Sequence, residues 1–264
     1  MDEVKIEEKL NNLLKDFDYT PKYQVDVMGK KIDVPVKYSN VRAFMFFFPI
    51  SIEMARKLIN NKRLEAVSIL KKKCLLGITI FDYIECPVEP YREVALSIPV
   101  ILDSKISIPF LPLIFDFLFK KFGFYTILLA MNNDIARKHS EIIFGYPTYD
   151  KNINIDIKEE SNGYTLISAS EGSEKILSIG IKKGSGNLRR IRKKSNTYFI
   201  KDDKIFNAEL NYAAYELAEK NGSAIDLGNH KISRIIKNLL FQNKPLRSIY
   251  YAKAIEILYS PKEV

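Results

Sequence analysis

Near the N-terminus apolar residues recur at steps of three and four: Ile6, Leu10, Leu13, Leu14 and Phe17. That spacing predicts an amphipathic helix within residues 1–18, stopped by Pro21. From Tyr23 to Phe48 the pattern changes to strands and turns, with Gly29 in a turn and a dense apolar run from Phe44 to Phe48. Ile52 to Leu70 reads as a second helix, and Lys71, Lys72 and Lys73 at its end suit the negative pole of the helix dipole. Leu75 to Tyr83 and Arg92 to Leu102 read as strands flanking a loop that contains Pro87 and Pro90.

Ile108 to Ala130 is the most apolar part of the chain, but Pro109, Pro112, Asp116, Lys120, Lys121 and Gly123 interrupt it. A membrane span needs roughly 20 apolar residues without such breaks. The segment therefore divides into a short helix around Leu113 to Phe119 and a strand from Phe124 to Met131, both expected to be buried. An exposed apolar flap for oligomer or peripheral membrane contact is the other reading. Asn133 to Ser140 follows as a short helix capped by Asn132 or Asn133. Strands are expected at Ile153 to Lys158, Tyr164 to Ala169, Ile176 to Ile181 and Asn196 to Ile200. Ala208 to Lys220 fits strand or helix, and the chain ends with a helix at Ile232 to Leu240 and a strand at Tyr250 to Tyr259. No internal repeat or low-complexity linker divides the 264 residues, which predicts a single domain over 1–264.

Charge changes this picture in one place. The net charge is +9, yet Lys182, Lys183, Arg189, Arg190, Arg192, Lys193 and Lys194 form a run without an acid. Gly184, Ser185 and Gly186 predict a turn, so residues 182–195 are expected to be a solvated basic hairpin loop; contact with a polyanion is the sharper alternative. No aromatic residue interleaves with the run, which argues against single-stranded nucleic acid as a partner. The acidic start, MDEVKIEEKL, has neither the charge nor the apolar core of a targeting peptide. Cys74 and Cys86 form no CxxC motif, and His139 and His230 lie far from them in sequence. A cytoplasmic protein with reduced thiols, no metal and no cofactor is expected.

Two stretches carry chemistry: Glu89 to Val100, EPYREVALSIPV, and Ser140 to Tyr149, SEIIFGYPTY. Together they resemble the acetoacetate decarboxylase family, whose members have a GPYxEv-type strand followed by a GRExxGYPK-type turn. Tyr91, Glu93, Ile98 and Pro99 match the first motif, and Phe144, Gly145, Tyr146 and Pro147 match the second. Leu227, Gly228 and His230 add a match to the family's LGxH segment near the C-terminus. The resemblance runs from about Tyr23 to Val264 and is strong only in the two central motifs. It implies an α+β fold in which a curved antiparallel sheet closes into a barrel or cone, with peripheral helices, an internal ligand cavity and a homo-oligomeric assembly.

In that family a lysine amine attacks a β-keto acid's ketone, and the resulting iminium accepts the electrons released as carbon dioxide leaves. Acetoacetate decarboxylase is itself the common illustration of a lysine activated by lowering its pKa. Here the lysine position is Thr148, whose hydroxyl condenses to no iminium, and the family's following lysine falls at Tyr149. Lys151 is the nearest amine, and strand alternation from Thr148 turns it to the opposite face. The GRE part becomes Ser140, Glu141 and Ile142, and no acid lies between Leu75 and Ile80 to match a second family glutamate.

Glu93 takes the position of the family's active-site glutamate; its structural alternative is a carboxylate paired with Arg92 or a nearby lysine. Lys31 falls where an arginine contacts the substrate carboxylate, keeping charge without the bidentate fork, or is a solvated turn residue beside Lys30. By the resemblance, Tyr91, Phe144, Tyr146, Thr148 and Tyr149 surround the pocket; as ordinary side chains they are core aromatics and turn residues. A phenol such as Tyr149 serves as a general acid only with a partner, which the sequence does not supply. Three functions follow. The first is binding of a small apolar or keto-acid ligand without Schiff-base decarboxylation. The second is a lyase using Glu93 as acid or base, and the third is an interaction protein acting through the basic loop or the apolar segment.

Overall fold

The computed structural model describes residues 3–70, 72–104, 109–115, 118–161, 163–182, 188–219 and 222–264. The helices discussed below are α1 (Glu3–Leu14), α2 (Ile52–Ile59), α3 (Leu111–Ile114), α4 (Asp134–His139) and α5 (Lys231–Leu239). The first seven strands are β1 (Tyr23–Val27), β2 (Lys30–Val34), β3 (Val36–Ser51), β4 (Leu64–Ala66), β5 (Lys73–Glu85), β6 (Tyr91–Leu102) and β7 (Phe122–Met131). They are followed by β8 (Asn154–Glu159), β9 (Tyr164–Glu171), β10 (Glu174–Lys182) and β11 (Arg189–Lys201). The last four are β12 (Lys204–Glu219), β13 (Asp226–Leu227), β14 (Arg247–Leu258) and β15 (Lys262–Glu263).

Seven strands pair in the order β11-β7-β6-β5-β3-β14-β12, and a β11–β12 ladder closes them into a barrel. All of these pairings are antiparallel except β11 with β7, which is a short parallel seam. This is the expected α+β barrel. Its strands are buried on both faces where a second sheet, β13-β10-β9-β8, packs outside. Period-two alternation makes that possible. On β3, Phe44, Phe46 and Phe48 point outward and are fully buried, while Met45 and Phe47 face the barrel interior. The outward set meets Ile167, Ala169, Leu177 and Ile179 of the second sheet, and Ile232 and Ile236 of α5, in one continuous core. On another side, Leu10, Leu14 and Phe17 cover Ala213, Tyr215, Ile255 and Ile257. The N-terminal amphipathic pattern thus describes how α1 seals the outer wall of β12 and β14.

Several local expectations change. The helix expected over Ile52 to Leu70 ends at Ile59, because Asn60 adopts a left-handed conformation (φ 47°) that caps it. The chain then enters β4, which pairs with β6. Ala208 to Lys220, open between helix and strand in the sequence, lies in the strand β12 as far as Glu219, where ladders on both sides override local propensity. The basic run is only partly a loop: residues 183–187 lie outside the described residues, whereas Arg189 to Lys194 begin β11. There Arg189 pairs with the buried Glu216 at 2.6 Å, and Arg192 pairs with Asp16 and lies over the Phe17 ring. Much of the apparent free charge is therefore matched within the fold.

The apolar segment also divides unevenly. The helix expected around Leu113 to Phe119 is the single turn α3, which leaves Ile114, Phe115 and Leu118 exposed, contrary to the expected burial. The expected strand is β7, which begins at Phe122 and is buried or half-buried along its length, as expected. Among the described residues no helix is long and apolar enough to cross a membrane.

Closure at the parallel seam depends on a missing side chain. Gly123 stands opposite Asn196, and a Cβ built on it would lie 2.2 Å from the Asn196 carbonyl oxygen. Because that obstacle is backbone, Gly123→Ala has no cheap relaxation. We expect it to destabilise the protein by roughly 1–3 kcal/mol, read as a lower urea midpoint at unchanged slope. A wild-type midpoint would contradict the tight seam.

Candidate active site

The inward faces of the barrel strands enclose a cavity of about 160 Å³. Strand β6 contributes Tyr91, Glu93, Ala95 and Ser97 in strict alternation, so its parity is readable from the sequence alone. Arg92, the partner considered for Glu93, points the other way. Its guanidinium donates to Asp82 at 3.1 Å and to the Ile155 carbonyl at 2.9 Å, while Arg42 grips the same aspartate from β3 at 3.0 Å. The structural alternative for Glu93 therefore fails on geometry. Glu93 is 5% exposed and among the described residues has no hydrogen-bond partner.

A second carboxyl, Glu256, reaches the same cavity from β14 and is 4% exposed. Its position follows from an irregularity. Tyr251 faces inward, and unbroken alternation would put Glu256 outside. The registers of β14 with both neighbours shift between Tyr251 and Ala254, which inserts one residue and reverses the parity. A compensating shift on β3 turns Tyr38 inward opposite Glu256. Sequence reasoning missed Glu256 because nothing local marks this bulge; the one available signal was an isolated acid within the apolar run Ala254 to Leu258.

Burial pushes both carboxyls well above their ordinary range, each from 4.5 to about 8. For Glu93 the nearby negative charge of Glu256 adds to the effect. Around them stand Tyr38, Tyr83 and Tyr91, all buried; adjacent rings lie 4.9 and 4.4 Å apart. Desolvation raises these three phenols as well, with Glu93 a smaller cause for all three and Glu256 for Tyr38 and Tyr83. The described lining contains neither lysine, arginine nor histidine.

One end of the barrel is covered by the GYP turn. After α4, capped by the Asn133 side chain, the chain makes a π turn over Ser140–Phe144 and leaves it through Gly145 at φ 71°, a left-handed conformation that suits glycine. This sets Phe144 and Tyr146 into the cavity wall, with the Tyr146 hydroxyl 2.5 Å from that of Thr197 on β11. Of the residues nominated from the sequence, Glu93, Tyr91, Phe144 and Tyr146 thus come together.

Thr148, Tyr149 and Lys31 do not line the cavity. Thr148 bridges to Leu129 and its hydroxyl donates to Glu141 at 2.6 Å. Tyr149 lies in the core outside the barrel, where its hydroxyl donates to Glu171 and sits 3.1 Å from His230 Nε2. The partner absent from the sequence reading is therefore Glu171, but it serves a structural cluster. Lys151 donates to the same carboxylate at 2.7 Å and is exposed, so it offers the cavity no amine. Lys31 stands exposed on β2 opposite Asp26. Among the described residues no group of three or more His, Cys, Asp or Glu is arranged to hold a metal ion.

The two raised carboxyls make stability depend on pH in an unusual direction. Below about 4.5 the glutamates are protonated whether the chain is folded or not. Above it the unfolded chain loses their protons first, so stability falls as pH rises and the loss is complete above about 8. Thermal melts from pH 5 to 9 should show Tm falling over that window, and Glu93→Gln with Glu256→Gln should flatten the fall. A double variant with the wild-type profile would contradict the assignment.

At the level of sequence, no protein-family model and no curated protein matches the chain. Solved structures do match its fold. An acetoacetate decarboxylase structure aligns at a TM-score of 0.65 and 15% identity, covering 87% of this chain and 89% of its own. Acetoacetate decarboxylase from Legionella pneumophila aligns at 0.61 and 13% identity, covering 95% and 94%. The enduracididine biosynthesis enzyme MppR, solved with pyruvate, aligns at 0.54 and 7%, covering 88% and 91%. With the closed barrel and its internal cavity, these alignments establish that the chain has the acetoacetate decarboxylase-like fold.

Proposed function

We propose that this acetoacetate decarboxylase-like protein binds a small, mostly apolar organic ligand inside its barrel and performs no Schiff-base decarboxylation. The observation that carries the reading is the composition of the cavity wall. It offers aromatic and aliphatic surface, a few hydroxyls and two carboxyls, with no amine among the described lining residues. Iminium chemistry needs a neutral amine beside the ketone, whereas Thr148 holds Glu141 and Lys151 holds Glu171. The volume of about 160 Å³ is close to that of cavities, roughly 150 Å³, that accept a benzene-sized guest. An anionic keto acid would meet two carboxyls and no cation among the described lining residues, so the wall favours a ligand without net negative charge.

Borohydride reduction in the presence of acetoacetate, followed by intact-mass measurement, tests the absence of Schiff-base chemistry. The unmodified mass is expected, and a stable adduct on any lysine would overturn it. A second reading keeps catalysis. The two carboxyls with values near 8 resemble acid–base pairs whose environment holds a proton at neutral pH. In that reading Glu93 donates or accepts a proton at a carbonyl substrate. It requires carbon dioxide release or aldol-type turnover that falls at least ~100-fold in Glu93→Gln, in line with loss of a general acid or base. Inactivity across a broad keto-acid panel removes it.

A further inference from the structure

We propose that the ligand of the barrel cavity is a small organic cation, an alkyl or quaternary ammonium, held between Glu93 and Glu256 against the tyrosine wall. The inference deepens the reading of the cavity as a ligand site and rests on it. Glu93 on β6 and Glu256 on β14 are both more than nine-tenths buried, both line the cavity, and neither has a hydrogen-bond partner among the described residues. Buried carboxyls in folded proteins are ordinarily paired or hydrogen-bonded, because an isolated charge is costly in a medium of low polarity. The cations nearest in sequence are committed elsewhere: Arg92 to Asp82, and Lys253 to Glu7. Among the described lining residues there is no cation to meet this pair in its ionised form, so such a partner would have to come from a ligand.

The rest of the wall selects the kind of cation. Six tyrosines from five strands and the GYP turn line the cavity: Tyr38, Tyr83, Tyr91, Tyr146, Tyr212 and Tyr251. Aromatic walls with carboxylates are the usual cage for alkylated ammonium groups, which are weakly hydrated and attracted to ring faces. A hard metal ion prefers six or more oxygen ligands and a wetter site. The volume of about 160 Å³ limits the ligand to a compact group such as tetramethylammonium.

Binding such a cation must also move protons. The titratable groups that share the cavity with the two glutamates are the Tyr38, Tyr83, Tyr91, Tyr146, Tyr212 and Tyr251 phenols, and no basic side chain is among the described lining residues. With both carboxyls raised to about 8, the pair is largely protonated at neutral pH, and a cation favours the ionised form. Affinity for a cation that does not itself titrate should therefore increase with pH.

Calorimetric titration of the full chain with tetramethylammonium, the neutral near-isostere tert-butanol and the anion acetate, at constant chloride, tests this. Tetramethylammonium should bind more tightly than tert-butanol at pH 8 and gain at least ~10-fold between pH 6 and pH 8, with proton release seen as buffer-dependent heat. Glu93→Gln with Glu256→Gln should lower its affinity at least ~10-fold and change that of tert-butanol by much less. If the double variant fails to fold, the pH dependence of the unmodified protein still decides. Equal or tighter binding of tert-butanol or acetate, or a flat pH profile, overturns the cation and leaves the cavity reading intact. Absence of binding by all three overturns the cavity reading as well.

Discussion

Closure of the sheet governs everything else in this molecule. A seven-stranded sheet left open would present an edge at β11 and another at β12, and its concave face would be a groove. The β11–β12 ladder and the parallel β7–β11 seam join the ends, and the seam forms because Gly123 lets the two backbones approach. Once closed, each strand has an inside and an outside, and alternate residues belong to different environments. The outside of β3, β5 and β6 is then available to the second sheet and α5, which accounts for the near-continuous apolar runs of those strands.

The interior holds two buried acids that no described cation meets. Asp82, on the outer face of β5, is held by two arginines, whereas Glu93, paired with Phe81 in the adjoining ladder, has none among the described residues. The two carboxyls lie on neighbouring strands of the same barrel and differ only in the face they take. Leaving two acids unpaired inside an aromatic wall works against stability as pH rises. Such local conflicts between a residue and its surroundings concentrate at functional sites, and here the conflict lies in the cavity, away from the surrounding cores.

The GYP turn is held in place by contacts on several sides. Gly145 supplies the left-handed residue, Phe144 and Tyr146 complete the wall, and Tyr149 and His230 tie the following residues to Glu171 and the second sheet. Each of these contacts is independent of an amine at position 148. The turn, as built here, is a device for covering the barrel end, and Thr148 fits it by giving its hydroxyl to Glu141.

Much of the architecture was legible in the residues. The three-and-four spacing of Ile6 to Phe17 marked α1, the alternation of Tyr91, Glu93, Ala95 and Ser97 marked the wall of β6, and Gly145 with Tyr146 and Pro147 marked the turn. These are local patterns, and local sterics and burial are sufficient to produce them. What the sequence did not reveal depended on partners distant along the chain. The length of α2, the strand state of β12 and the neutralised half of the basic run were set by ladders and ion pairs formed across the fold. Glu256 is the sharpest case. Its presence is written in the sequence, but its face is decided by a register shift against β3 and β12, because a single inserted residue in a strand sends every later side chain to the opposite side.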